Sequence, residues 1–375
     1  MSIRRGAALL FLTSTTLLVA LAGCGGDKKS LFRPPAATRT YFMGFSSFPP
    51  RPSIQSIVAT IDAFAPHSDA ALIVTEPPWD SLLAGKAPDS LIRNNQVGLA
   101  NYFRSKGLTR IVVSVDPTNG LDRSADSAPL VAAGRSLTEP AIQALFRAYV
   151  VAMDTLIHPQ YLSVASETNL IRAAAPAPLY QAVKQVANDA YTDLRAHDAT
   201  VKIFTTVQVE VAWGRSPGVS GPYVGIATDR TDFPFIQILG LSSYPYLAGF
   251  TLPDSVPLDY YSKLVEGNPL SEMVIEGGWS SDSTARWIPW SDPPILNVET
   301  QRRYIARHAA ILDQARAIGW FQITFTDLDL AALGFPASAA PFASLGLADV
   351  DLNPKPALSA WDAARNRALK PPGTP

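Results

Sequence analysis

Tyr161-Leu162-Ser163-Val164-Ala165-Ser166-Glu167-Thr168-Asn169 begins as an apolar run of strand character and turns polar within one residue. A strand buried on both faces reads in this way, and a carboxylate where the run stops stands at the strand's exit. Met273-Val274-Ile275-Glu276-Gly277-Gly278-Trp279 repeats the pattern far downstream. The two segments belong to a longer series. Runs rich in β-branched and aromatic residues recur at 41–46, 71–76, 111–115, 161–167, 202–208, 236–243, 273–276 and 321–326.

Between most of these runs the apolar residues fall at helical spacing. Ile54, Ile57, Val58 and Ile61 do so after the first; Ile142, Leu145, Phe146, Tyr149, Val150 and Met153 before the fourth, with Thr138 as the expected N-cap and Pro140 in the first turn. Leu179, Val183, Val186, Ala190 and Leu194 follow the fourth run; Tyr304, Ile305, His308, Ile311 and Leu312 precede the eighth; Leu358, Trp361 and Ala364 close the series. Strands alternating with helices imply a parallel sheet with helical crossovers, and eight such units imply closure into a (β/α)8 TIM barrel, a single α/β domain over residues 40–369. Residues 209–234 lack a helical period and are expected to form a long irregular loop on the strand-exit side.

The chain has 375 residues, 47% of them hydrophobic, with 31 basic against 32 acidic side chains, so it can bury a large core and offers no basic face for nucleic acid. Arg4 and Arg5, an apolar stretch and Leu21-Ala22-Gly23-Cys24 read as a lipoprotein signal peptide over residues 1–23, with the lipid on Cys24. Residues 24–39 read as a flexible tether and 370–375 as a tail. The expectation is an exported monomer held to the bacterial cell envelope, on its periplasmic or cell-surface side. Cys24 is the single cysteine, His67, His158, His197 and His308 show no metal-ligand spacing, and glycine-rich phosphate loops are absent, so no metal or cofactor is expected.

In a barrel of this kind the chemistry sits at the strand exits, where Glu167 and Glu276 would converge on one bond from opposite sides of the mouth. Paired carboxylates suit glycoside hydrolysis: one protonates the leaving oxygen while the other attacks the anomeric carbon. Burial and mutual repulsion should raise the acid above its partner. Tryptophans stack on sugar rings, and Trp79, Trp213, Trp279, Trp287 and Trp290 all follow strands. Glu76, Asp116 and Asp327 also follow strands, where each suits a sugar hydroxyl as well as a helix cap or loop ion pair. Trp320 and Trp361 read as core.

These segments resemble glycoside hydrolase clan A, the retaining "4/7" barrels. Leu239-Gly240-Leu241-Ser242-Ser243-Tyr244-Pro245-Tyr246 is similar to a segment of the arabinogalactan endo-β-1,4-galactanases, and Val274-Ile275-Glu276-Gly277-Gly278-Trp279 resembles the clan's nucleophile strand. The resemblance implies Glu167 as acid/base, Glu276 as nucleophile and Tyr244 as the tyrosine that hydrogen-bonds it. The clan usually carries Asn before the acid/base to hold the sugar 2-hydroxyl. Here Ser166 stands there, with Asn169 as a substitute two residues past Glu167. Strand eight also lacks the clan's tryptophan. Two readings follow: a retaining glycosidase acting on a poly- or oligosaccharide, or a catalytically weak or inactive barrel that binds glycans or supports an envelope assembly.

Overall fold

The computed structural model describes residues 36–268, 270–283 and 292–370. Eight parallel strands close into a barrel: β1 Phe42–Ser46, β2 Ala70–Thr75, β3 Arg110–Val115, β4 Tyr161–Ser163, β5 Lys202–Gln208, β6 Ile238–Ser243, β7 Ser271–Gly277 and β8 Gly319–Gln322. Each strand pairs with its sequence neighbour and β8 returns to β1, with Gly319 opposite Phe42. The expected eight runs are these eight strands, in order.

Every strand is buried on both faces because the two faces meet different cores. Phe42, Leu72, Val112, Phe204, Met273 and Phe321 fill the barrel interior. Their neighbours Met43, Ile73, Val113, Ile203, Val274 and Trp320 face the surrounding helices. That two-residue alternation with no polar face produces the near-continuous apolar runs.

The helical layer contains α1 Ile54–Phe64, α2 Gly98–Ser105, α3 Pro140–Ile157, α4 Ala177–His197, α5 Val298–Ala315 and α6 Pro356–Arg365, with shorter turns between. Ser53 caps α1 by accepting from the Ser56 amide, and Asn297 with Thr300 makes a capping box on α5. Pro140 opens α3 as expected, but the N-cap is Glu139, not Thr138, whose hydroxyl turns back to Ser136. The helix α3 is long and apolar enough to cross a membrane, yet its Ile142, Phe146, Val150, Met153 and Ile157 are buried in the barrel's outer core. Trp361 of α6 rests on Trp320 of β8 at 4.5 Å, both fully buried, as expected for core.

Two strands differ most from the sequence reading. The strand β4 stops at Ser163 instead of reaching Glu167, although Val164 still donates to Phe204 O and Ala165 O still accepts from Thr206. The strand β8 begins at Gly319, two residues early, and stops at Gln322, short of residue 326. Gly319 reads as a breaker, but a Cβ there would lie 2.8 Å from the Phe42 ring, so the barrel closes only with glycine at that point. The crossover 209–234 is irregular as expected, with short helices at Val209–Ala212 and Ala227–Asp232 and a small antiparallel pair, Arg215–Ser216 with Val219–Ser220.

One buried group sits badly. Glu272 lies on the outward face of β7, is 1% exposed, and neither carboxyl oxygen finds a hydrogen-bond partner among the described residues. Burial pushes it from 4.5 up to about 8. The folded chain therefore holds a proton that the unfolded chain releases near pH 4.5, and stability falls as pH climbs from there toward 8. The loss is on the order of 4 kcal/mol. Glu272→Met should raise the melting temperature at pH 8 by several degrees and much less at pH 5. Equal shifts at both pH values in thermal melts would refute this account.

Candidate active site

Glu276 reaches the mouth through an irregularity. Along β7, Met273 and Ile275 point into the barrel, so strict alternation would turn residue 276 outward. The register with β6 slips between Val274 and Glu276, placing Glu276 beside Ser242, and this bulge re-aims the side chain. Gly277 then lets the two strand ends close behind it, because a Cβ there would stand 2.4 Å from Ser243 O. Tyr244, at the exit of β6, donates its hydroxyl to Glu276 Oε1 at 2.7 Å. The expected tyrosine contact is present.

Glu167 is presented by a single left-handed residue at φ 47° and ψ 47°, immediately before the short helix Thr168–Ala174. A side-chain-bearing residue pays roughly 1–2 kcal/mol for that conformation. The Glu167 amide is tied to Thr206 Oγ1 at 2.7 Å, which fixes the turn. Its carboxylate is 7% exposed and satisfied on both oxygens: Ser242 Oγ donates to Oε1 at 2.7 Å and Arg123 Nε to Oε2 at 2.8 Å.

Sequence reasoning missed Arg123. It lies on the loop after β3, is buried, and also donates through Nη1 to Asp116 Oδ2 at 2.5 Å and to Thr118 Oγ1 at 3.3 Å. Burial works against its charge, but Asp116 and Glu167 more than offset this and hold it protonated. Glu76 supports the same loop from β2, accepting from Ser127 Oγ at 2.9 Å and from the Gly120 amide at 3.3 Å.

The electrostatics depart from expectation. Burial first, and the charge of Glu167 second, push Glu276 from 4.5 up to about 7, while Arg123 and the Tyr244 hydroxyl pull the other way. The raised group is thus the residue on strand seven, and the residue on strand four carries the arginine.

Several expected substrate contacts are consumed internally. Ser166 is buried with its hydroxyl 3.3 Å from Ser114 Oγ. Asn169 spends both ends of its amide on the Gln208 backbone, at 2.8 Å each, and cannot stand in for the missing asparagine. Trp79 and Trp279 are fully buried; Trp279 donates to Ile295 O and packs on Tyr246 and Tyr304. Both are core, not platforms, because the apolar area of an indole is worth more against core side chains than beside water. Trp213 remains partly exposed, stacked on Tyr260 at 5.1 Å beneath Lys263 Nζ. Trp287, Trp290 and Cys24 lie outside the described residues. Asp116 and Asp327 both resolve into ion pairs, the latter with Lys355 at 2.5 Å. A separate cavity of about 630 Å³, lined by Tyr223, Arg230, Ile236, Lys263 and Glu266, touches neither Glu167 nor Glu276.

No protein-family model matches the sequence, and no curated protein matches it. Solved structures do. An exo-β-1,4-mannosidase from Opitutaceae bacterium strain TAV5 superposes with a TM-score of 0.62 at 17% identity, over 91% of this chain and 62% of its own. A family 39 glycoside hydrolase from Bacteroides cellulosilyticus WH2 gives 0.55 at 15%, over 88% and 64%. GH5_18 from Streptomyces cattleya, in complex with Manβ1-4GlcNAc, gives 0.58 at 16%, over 88% and 83%. The shared fold is the (β/α)8 TIM barrel. The chain spans 62% of the mannosidase and 52% of a β-glucuronidase from an uncultured Clostridium, so those proteins carry substantial parts beyond the shared barrel.

Proposed function

We propose that this chain is a retaining glycosidase that hydrolyses O-glycosidic bonds in a poly- or oligosaccharide, with Glu167 as acid/base and Glu276 as nucleophile. The observation that carries the reading is that Ser242, the β6 residue in register with Glu276, donates to Glu167 Oε1 at 2.7 Å, which supports both carboxyls sharing one mouth. In the first step Glu167 gives its proton to the leaving oxygen while the Glu276 carboxylate bonds to the anomeric carbon and the glycosidic C–O bond breaks. In the second, Glu167 takes a proton from water as that water's oxygen displaces Glu276. Tyr244 holds Glu276 on line throughout. Glu76 and Arg123 brace the rim.

This cycle needs the proton on Glu167 and the charge on Glu276 at the outset. Burial keeps a proton on Glu276 in the resting site and Arg123 donates to Glu167 Oε2, so substrate entry must pass that proton across the pair. That same arrangement, with Ser166 and Asn169 turned inward, favours a second reading: a barrel that binds glycans without turning them over. Incubation with a panel of soluble polysaccharides and aryl glycosides separates the two. Reducing-end release, with the first product formed in the same anomeric configuration as the substrate by NMR, is the expected result. Glycan retardation in affinity gels with no release from any substrate would instead establish the binding barrel.

We further propose that Cys24 carries a lipid that holds the protein at the cell envelope as a monomer, supported by the Leu21-Ala22-Gly23-Cys24 motif. Cys24→Ala should move the protein out of the membrane fraction, and unchanged fractionation would discard the anchor.

A further inference from the structure

Glu210 follows β5 directly, in the crossover whose sequence carries no helical period. It is 1% exposed, yet its carboxylate faces no cation among the described residues and is held entirely by neutral donors. Gln208 Nε2 donates to Oε2 at 2.6 Å, while Ser243 Oγ and the Tyr260 hydroxyl donate to Oε1 at 3.0 and 3.1 Å. The main-chain N–H of Tyr244 also leans on it. Burial pushes it from 4.5 up to about 7, so it carries its charge only above that value and at a cost in stability.

What it grips is the joint behind Glu276. Ser243 and Tyr244 end β6, and from them two routes lead to the same residue. Through side chains, the Tyr244 hydroxyl meets Glu276 Oε1 at 2.7 Å. Through the backbone, Ser243 O accepts from Gly278 N at 3.3 Å and sits against Gly277, the glycine that follows Glu276. Both routes start at residues that Glu210 holds.

We propose that Glu210 is a positioning residue, which fixes the Ser243–Tyr244 joint and through Tyr244 sets the place and ionisation of Glu276. The inference rests on the glycosidase reading only for its effect on turnover; its effect on Glu276 itself can be read without substrate. The charged and titratable groups around Glu276 are Tyr244 from β6, Glu167 from the exit of β4, and Arg123 with Asp116 from the β3 side.

The direction of change separates positioning from mere charge. If Glu210 acts only through its field, Glu210→Gln removes a neighbouring negative charge and the Glu276 titration midpoint falls. If it acts through Tyr244, losing its grip weakens the hydrogen bond to the Glu276 carboxylate, and the midpoint rises. Glu210→Asp keeps the charge but shortens the reach, so it isolates the second effect and serves should the amide fail to fold.

The experiment is carboxyl carbon NMR of glutamate-labelled protein, with the Glu276 signal assigned by Glu276→Gln. The expected result is an upward move of about half a pH unit or more in Glu210→Asp and Glu210→Gln. Tyr244→Phe should move the midpoint the same way, and adding Glu210→Gln to it should change little more. A fall in Glu210→Gln, no movement in either Glu210 variant, or full additivity with Tyr244→Phe would each overturn the proposal. On an aryl glycoside, Glu210→Gln should lower kcat about tenfold with KM nearly unchanged. Absence of turnover in the parent protein would refute the glycosidase reading while leaving the titration result to stand or fall by itself.

Discussion

Glu276→Ala is expected to lower kcat on an activated aryl glycoside by on the order of a thousandfold or more, because no other group can form the bond to the anomeric carbon. The fold should survive: the residue is partly exposed, and its one close polar partner, Tyr244, gains access to water in the space left behind. The parent's pH profile carries a second signature. With Glu276 holding the pair's proton up to about 7 through burial and the charge of Glu167, kcat/KM should fall as pH climbs through that value, because the acid step then has no proton to give. Initial rates against pH for the parent, and thermal melts of both proteins, make the check. Equal rates in variant and parent would remove Glu276 from the chemistry.

Arg123→Met is expected to cost more stability than any other single change at the mouth, about 3–5 kcal/mol, because it strands two buried carboxylates. Asp116 and Glu167 are each 7% exposed or less, and Arg123 is the cation that joins them. The pH dependence has a definite sign. Stranded carboxylates are relieved when they take up protons, so the gap between variant and parent should narrow as pH falls from 7 toward 4. Denaturant titrations at the two ends of that range would measure it; a gap of the same size at both would show that Arg123 contributes packing and not charge.

The two residues differ sharply in how far the sequence reveals them. Glu276 is legible because a buried parallel strand writes itself as an apolar run, and an acid at its end stands out; Glu167 is legible for the same reason. The eight strands follow from that one property. Arg123 sits in Asp122-Arg123-Ser124, between the third strand and the next helix, and Glu210 in Val209-Glu210-Val211, at the start of the stretch read as an irregular loop. Their significance comes from partners across crossovers, and no local period encodes those distances. Trp79 and Trp279 failed in the opposite sense. They follow strands, as platforms would, but whether an indole turns toward the mouth or into the helical layer depends on which neighbours leave room. The bulge before Glu276 was equally hidden, since an extra residue in a strand alters no composition. The rise on Glu276 was hidden too, because it comes from burial and from the charge of Glu167 across the mouth.

Thr38–Arg39 and Ala368–Leu369 form a two-residue parallel pair. Arg39 reinforces it through Arg365 O, Arg367 O and Asp69, and Thr40 reaches Ala317 O just ahead of β8. All of these lie where strands enter the barrel. Residues 38–39 therefore sit at the floor of the barrel, at the end opposite the strand exits that carry Glu167 and Glu276. The first and last described stretches are also stapled side by side there. Splicing them and opening the ring in a different crossover should leave its architecture undisturbed.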